Sequence, residues 1–110
     1  MKKYIYLLSS LTILATFTVT QNAFAADIEH GAQIFSANCS ACHAGGKNVI
    51  MPEKTLLKSA LEKYDMDSVE AITQQVTNGK NAMPAFGGRL QEVDIEDVAN
   101  YVLSQAENGW

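Results

Sequence analysis

The chain has 110 residues, 47% hydrophobic and 18% charged, with eight basic residues against twelve acidic ones and a formal net charge of −4. That length suits a single folded domain. The acidic balance excludes a nucleic-acid role, which needs a basic face.

Residues 1–25 read as a Sec-type secretory signal peptide. Lys2 and Lys3 form a basic start, Ile5 to Val19 is an apolar stretch, and Ala23-Phe24-Ala25 is an A-x-A cleavage pattern. The apolar stretch carries several Ser and Thr and is short for a membrane anchor. Twin arginines are absent, so the expected route is general export, with any cofactor added outside the cytoplasm. Cleavage would leave residues 26–110 as one domain. It would also remove two lysines, leaving six basic residues against twelve acidic and a net charge of −6. Residues 26–110 contain no stretch apolar enough to span a bilayer, so the mature protein is expected to be soluble.

Asp27 can cap a first helix, in which Ile28, Gly31, Ala32 and Phe35 recur at helical spacing up to Cys39. Gly31 inside a helix costs stability unless another element approaches closely there, so it is read as a helix crossing point. The run Cys39-Ser40-Ala41-Cys42-His43 follows. Its spacing is that of a c-type haem attachment site, with Cys39 and Cys42 as thioether positions and the adjacent His43 as an iron ligand. A thioredoxin-like pair expects a strand-helix-strand context, and nothing near residue 39 alternates like a strand. A structural zinc site needs four ligands, and only a distant His30 is left to join Cys39, Cys42 and His43. A plain disulfide in an oxidising compartment leaves His43 unexplained.

Gly45 and Gly46 end the haem-binding turn, and Lys47 to Lys54 forms a loop containing Met51-Pro52. A short helix is expected over Thr55 to Lys63, with Leu56, Leu57, Ala60 and Leu61 facing inward. Asp67 with Glu70 resembles a capping box for a third helix, whose apolar positions include Val69, Ile72 and Val76 and whose stop is Gly79. The last helix is the clearest, because Ile95, Val98, Ala99, Val102 and Leu103 follow the i, i+3, i+4, i+7, i+8 pattern. Glu92 and Asp94 near its start suit the helix dipole. The expected fold is all-α, with about four short helices wrapped around one covalently bound haem that completes a small core.

The second axial ligand separates a carrier from a haem enzyme or gas binder. Met83 lies in Asn81-Ala82-Met83-Pro84, between the stop of one helix and the start of the next. Pro84 keeps Met83 out of helical geometry and stiffens the loop, so its thioether can be held at iron. Met51 is read as a pocket-lining residue, Met66 as packing and His30 as an exposed helix residue. A Met ligand closes the coordination sphere and raises the reduction potential, which points to electron transfer and away from an enzyme.

The stretches GAQIFSANCSACHAGG (31–46), NGKNAMPAFGGRL (78–90) and DIEDVANYVLSQ (94–105) make residues 26–110 resemble the cytochrome c6 family. The resemblance implies a class I cytochrome c fold and one haem c, bound by Cys39 and Cys42 with His43 and Met83 as axial ligands. It implies a monomeric one-electron carrier in the thylakoid lumen, taking electrons from cytochrome f of the cytochrome b6f complex and delivering them to photosystem I. A periplasmic carrier feeding a terminal oxidase is the alternative. Gly31 and Phe35 match the family's crossing of first and last helices, with Tyr101 on the facing helix. Arg89 matches a partner-contact arginine, with a surface salt bridge as its ordinary alternative. Gln75 matches a position near the haem pocket, where it would tune the potential. Gln91, where relatives often have Ser, is a weaker helix cap and is expected to loosen the start of the last helix by under about 1 kcal/mol.

Overall fold

The computed structural model describes residues 15–16 and 26–110, so the signal-peptide reading of residues 1–25 lies, but for two residues, outside the described residues. The described residues hold five α-helices: α1 (Ile28–Asn38), α2 (Ser40–His43), α3 (Lys58–Lys63), α4 (Val69–Asn78) and α5 (Glu92–Asn108). A 3₁₀ turn, Ala44–Gly46, follows α2. Regular structure is helical as expected, apart from an isolated bridge between Lys80 and Met83. The helix beyond the expected four is α2, the haem motif itself. Cys39 closes α1 and opens α2 while remaining right-handed, so the chain bends there without leaving helical geometry.

The ends of the helices follow local hydrogen bonding. Asp27 caps α1 by accepting from the backbone N–H of His30 at 2.9 Å. The α3 helix begins at Lys58 and not at Thr55, because the Thr55 hydroxyl accepts the Leu57 N–H at 3.3 Å and holds a turn ahead of the helix. That turn leaves Leu57 46% exposed, against the expectation that it faces inward, while Ala60 and Leu61 are buried. Ser68, one residue beyond the expected Asp67, caps α4 by accepting from Ala71 N–H at 3.1 Å. Gly79 ends that helix as expected, at a φ of 70°. At the start of α5, the Asp94 carboxylate accepts the Gln91 N–H at 3.0 Å and supports the cap that Gln91 makes weakly.

The core lies where α1, α4 and α5 meet and is built from Phe35, Ile72, Val76, Phe86, Ile95, Val98, Ala99 and Val102, with Leu61 added by α3. Val98 is 1% exposed, and burying a side chain of this kind stabilises the fold by about 1.5–3 kcal/mol. Gly31 is the crossing point of α1 and α5. A methyl group there would run into the Asp97 carbonyl and come within 2.9 Å of Tyr101 Cβ. The crossing therefore sets where α1 delivers Cys39. Asp97 is a carboxylate on the inner face of α5, 5% exposed, a position that helical periodicity alone assigns to an apolar residue.

Candidate functional site

Cys39, Cys42 and His43 stand at i, i+3 and i+4, which in a right-handed helical turn puts all three side chains on one face. Backbone bonds hold that turn: the N–H groups of Cys42 and His43 both donate to the Cys39 carbonyl, at 3.2 and 2.9 Å. No disulfide joins the two cysteines, of which Cys39 is half-buried and Cys42 exposed. Burial pushes the Cys39 thiol up to about 11. A redox-active Cys-x-x-Cys pair is favoured by the opposite shift, which makes a thiolate. Among the described residues no group of three or more His, Cys, Asp or Glu side chains is placed to hold a metal ion.

His43 has a fixed tautomer. Its Nδ1 lies 2.9 Å from the Lys47 carbonyl oxygen. A carbonyl only accepts, so the proton is on Nδ1 and the lone pair of Nε2 is free for a metal. The 3₁₀ turn brings Lys47 back under the ring, with its N–H donating to the Ala44 carbonyl at 3.2 Å. Gly45 and Gly46 make that turn at φ values of 63° and 75°. The role of Lys47 is carried by its backbone, so no side-chain motif announces it. The Gly45-Gly46 pair is the trace it leaves in the sequence.

Met83 sits on a loop folded back against the end of α4. Met83 and Lys80 exchange backbone hydrogen bonds of 3.0 and 2.9 Å, while Phe86 and Gly87 donate to the carbonyls of Val76 and Thr77 at 2.9 and 3.1 Å. Gln75, one turn from the end of α4, donates its side-chain amide to Met83 Sδ at 3.6 Å. The thioether is thus held from the backbone and from its own sulfur. Met51 is half-buried in a turn organised by Asn48, whose side chain accepts its N–H at 2.8 Å. Met66 packs against the core. His30 is neither a free surface residue nor a ligand: its Nδ1 lies 2.8 Å from Asp97 Oδ2.

Arg89 is exposed and has no carboxylate partner among the described residues. Its guanidinium lies 5.1 Å from the centre of the Phe86 ring, a cation–π contact that keeps the charge at the surface.

Two thiols, an imidazole Nε2 and a held thioether fit a covalently bound haem. The surroundings fit as well. Val49 and Ile50 are 64% and 61% exposed, and the Val49 N–H donates to the Cys42 carbonyl at 3.1 Å, so an exposed apolar pair is tied by its backbone to the Cys-x-x-Cys-His turn. The structure brings Cys39, Cys42 and His43 together as one unit and Gln75 with Met83 as another.

Comparison with known proteins gives a consistent result. The family described as "Cytochrome C oxidase, cbb3-type, subunit III" matches residues 26–102. Cytochrome c6 of Porphyra purpurea is 61% identical over 110 residues, covering the whole of both chains. Cytochrome c6 of Bumilleriopsis filiformis is 76% identical over 85 residues, covering 77% of this chain and 99% of that one. Among solved structures, cytochrome c6 from the diatom Phaeodactylum tricornutum superposes with a TM-score of 0.75 at 62% identity, over 76% of this chain and 99% of that one.

Proposed function

The chain belongs to the cytochrome c6 family and carries a covalently bound haem c, and on that premise we propose that it is a soluble one-electron carrier of the thylakoid lumen, not an enzyme. It takes electrons from cytochrome f of the cytochrome b6f complex and passes them to photosystem I. Residues 1–25 are a Sec-type signal peptide, and residues 26–110 form the mature, monomeric domain. The 85-residue match to the Bumilleriopsis filiformis relative supports that division.

When bound, the haem supplies a ferric/ferrous couple that changes by one electron. Cys39 and Cys42 anchor it through thioether bonds. His43 presents Nε2 to the iron, with its orientation set by Lys47. Met83 would hold the haem through Sδ, and the loop that restrains the thioether would keep small molecules away from the iron. Little around the iron has to reorganise, because both ligands are restrained before any charge changes. Val49 and Ile50 offer an apolar contact surface, with Arg89 as a charged contact for partners, which suits brief docking and fast release.

The observation that carries this reading is the restrained Met83 thioether, 3.6 Å from the Gln75 amide. Met83→Ala is expected to abolish the low-spin spectrum of the holoprotein and to open the iron to carbon monoxide. An unaltered spectrum and potential would refute Met83 as a ligand. Partners are tested by flash-induced reduction of oxidised photosystem I, where rapid transfer is expected. A second reading is favoured by the family description that names an oxidase subunit. In it the protein is a periplasmic donor to a terminal oxidase, and slow transfer to photosystem I with fast transfer to an oxidase would select it.

A further inference from the structure

Trp110, just beyond the end of α5, reaches the loop that orients His43. Gly109, at a φ of 98°, turns the chain off the end of α5, with its N–H donating to the Gln105 carbonyl at 2.7 Å. The indole then meets three things. Its Nε1–H donates to the Leu56 carbonyl at 3.1 Å. Its ring lies over Gly46 so closely that a Cβ there would be 2.6 Å from three ring atoms. It also joins an aromatic cluster, with ring centres 5.2 Å from Phe35 and 6.0 Å from Tyr101.

Leu56 and Gly46 are themselves tied, because the Leu56 N–H donates to the Gly46 carbonyl at 2.7 Å. The indole therefore closes over both strands of the loop that runs from the haem motif to α3. Gly46 directly precedes Lys47, whose carbonyl accepts the His43 Nδ1–H. Any freedom in the Gly46 peptide changes the direction of that carbonyl.

We propose that Trp110 is a positioning residue for His43, pinning Gly46 and Leu56 so that the Lys47 carbonyl stays aimed at Nδ1. The proposal rests on His43 being the iron ligand. The strength of the Nδ1–H···O=C bond sets how basic the ligating nitrogen is, and a more basic nitrogen favours ferric iron. Trp110 thereby holds the potential down. This separates positioning from simple shielding, since letting water into the haem environment favours the ferric charge and would lower the potential.

The test uses holoprotein carrying Trp110→Phe, which keeps a ring over Gly46 but has no N–H for Leu56, and Trp110→Ala, which removes both. Two quantities are read: the reduction potential, and the hydrogen-exchange rate of the His43 Nδ1–H in the ferrous protein by NMR. The expected result is a raised potential together with exchange about tenfold faster in Trp110→Ala, and a smaller change of the same sign in Trp110→Phe. An unchanged or lowered potential, or unchanged exchange, overturns the proposal even if thermal stability falls. Should Trp110→Ala fail to fold, Trp110→Phe alone decides by the same criteria. Failure of the ligand reading is recognised separately: His43→Ala would then keep the native visible spectrum.

Discussion

The His30 imidazole and the buried Asp97 carboxylate meet at 2.8 Å across the crossing of α1 and α5, sixty-seven residues apart in the chain. Asp97 uses its other oxygen to accept the backbone N–H of Asp27 at 2.9 Å. One carboxylate thus secures both the cap and the first turn of α1. Asp94 Oδ1 stands 3.6 Å from His30 Nε2 on the other side of the ring.

This arrangement makes stability depend on pH. The His30 pKa is raised above its ordinary value of 6.5, chiefly by the hydrogen bond to Asp97 and with help from the charges of Asp94, Asp97 and Asp27, against a smaller opposing effect of burial. A raised folded-state pKa means that the stabilisation is fully present below 6.5 and is lost as pH rises through the folded value. The difference in Tm between the parent protein and His30→Gln is therefore expected to be largest below 6.5 and to shrink on the alkaline side. Thermal melts of both holoproteins across that range check it, and a constant difference would contradict it.

Gly31→Ala is expected to destabilise, although Ala is the better helix former by about 1 kcal/mol. The added methyl would strike the backbone carbonyl of Asp97, which cannot rotate away as a side chain would. The helices must separate, at a cost of about 1–3 kcal/mol. Guanidinium unfolding of the holoprotein measures it, and a gain in stability would show that the crossing is looser than described.

Gly46→Ala meets two obstacles at once, a φ of 75° and the face of the Trp110 indole. The backbone conformation alone costs roughly 1–2 kcal/mol in a residue with a side chain. Gly45→Ala has a similar φ of 63° but nothing within 4 Å of its Cβ, so it is the control. Denaturation midpoints should fall further for Gly46→Ala than for Gly45→Ala; equal losses would mean the indole adds nothing.

Gln75→Leu is expected to lower the reduction potential. The amide N–H draws electron density from Met83 Sδ and makes it a weaker donor to ferric iron, so removing that donor favours the ferric state. Potentiometry on the holoprotein gives the answer. A rise would place the Gln75 effect elsewhere than on the sulfur.

How much of this was legible in advance follows from the range of the interactions. The α5 helix was readable because Ile95, Val98, Ala99 and Val102 repeat at the helical period, and all four are buried. The stop at Gly79 was readable because a local backbone requirement leaves a residue-type mark. The start of α4 lies one residue beyond the local signal, since Asp67 and Ser68 are both competent caps and only backbone geometry chooses between them. The helix α2 leaves no periodic mark, because a single turn is too short to show a period. Local sequence marks His30 only as an exposed helix residue, because its partner lies on another helix.

By itself the sequence determined the cofactor class, the helical fold and the candidate Met83 ligand, because spacing, periodicity and proline stiffness act between near neighbours. Only the tertiary structure decided which way His43 faces, what holds Met83 by its sulfur, and that Asp97 and Trp110 tie α5 to the start of α1 and to the loop after the haem motif. Those contacts depend on helices brought together by burial of the shared core. Trp110 and Leu56 are fifty-four residues apart, and no local pattern can record a hydrogen bond that forms only after the chain has folded.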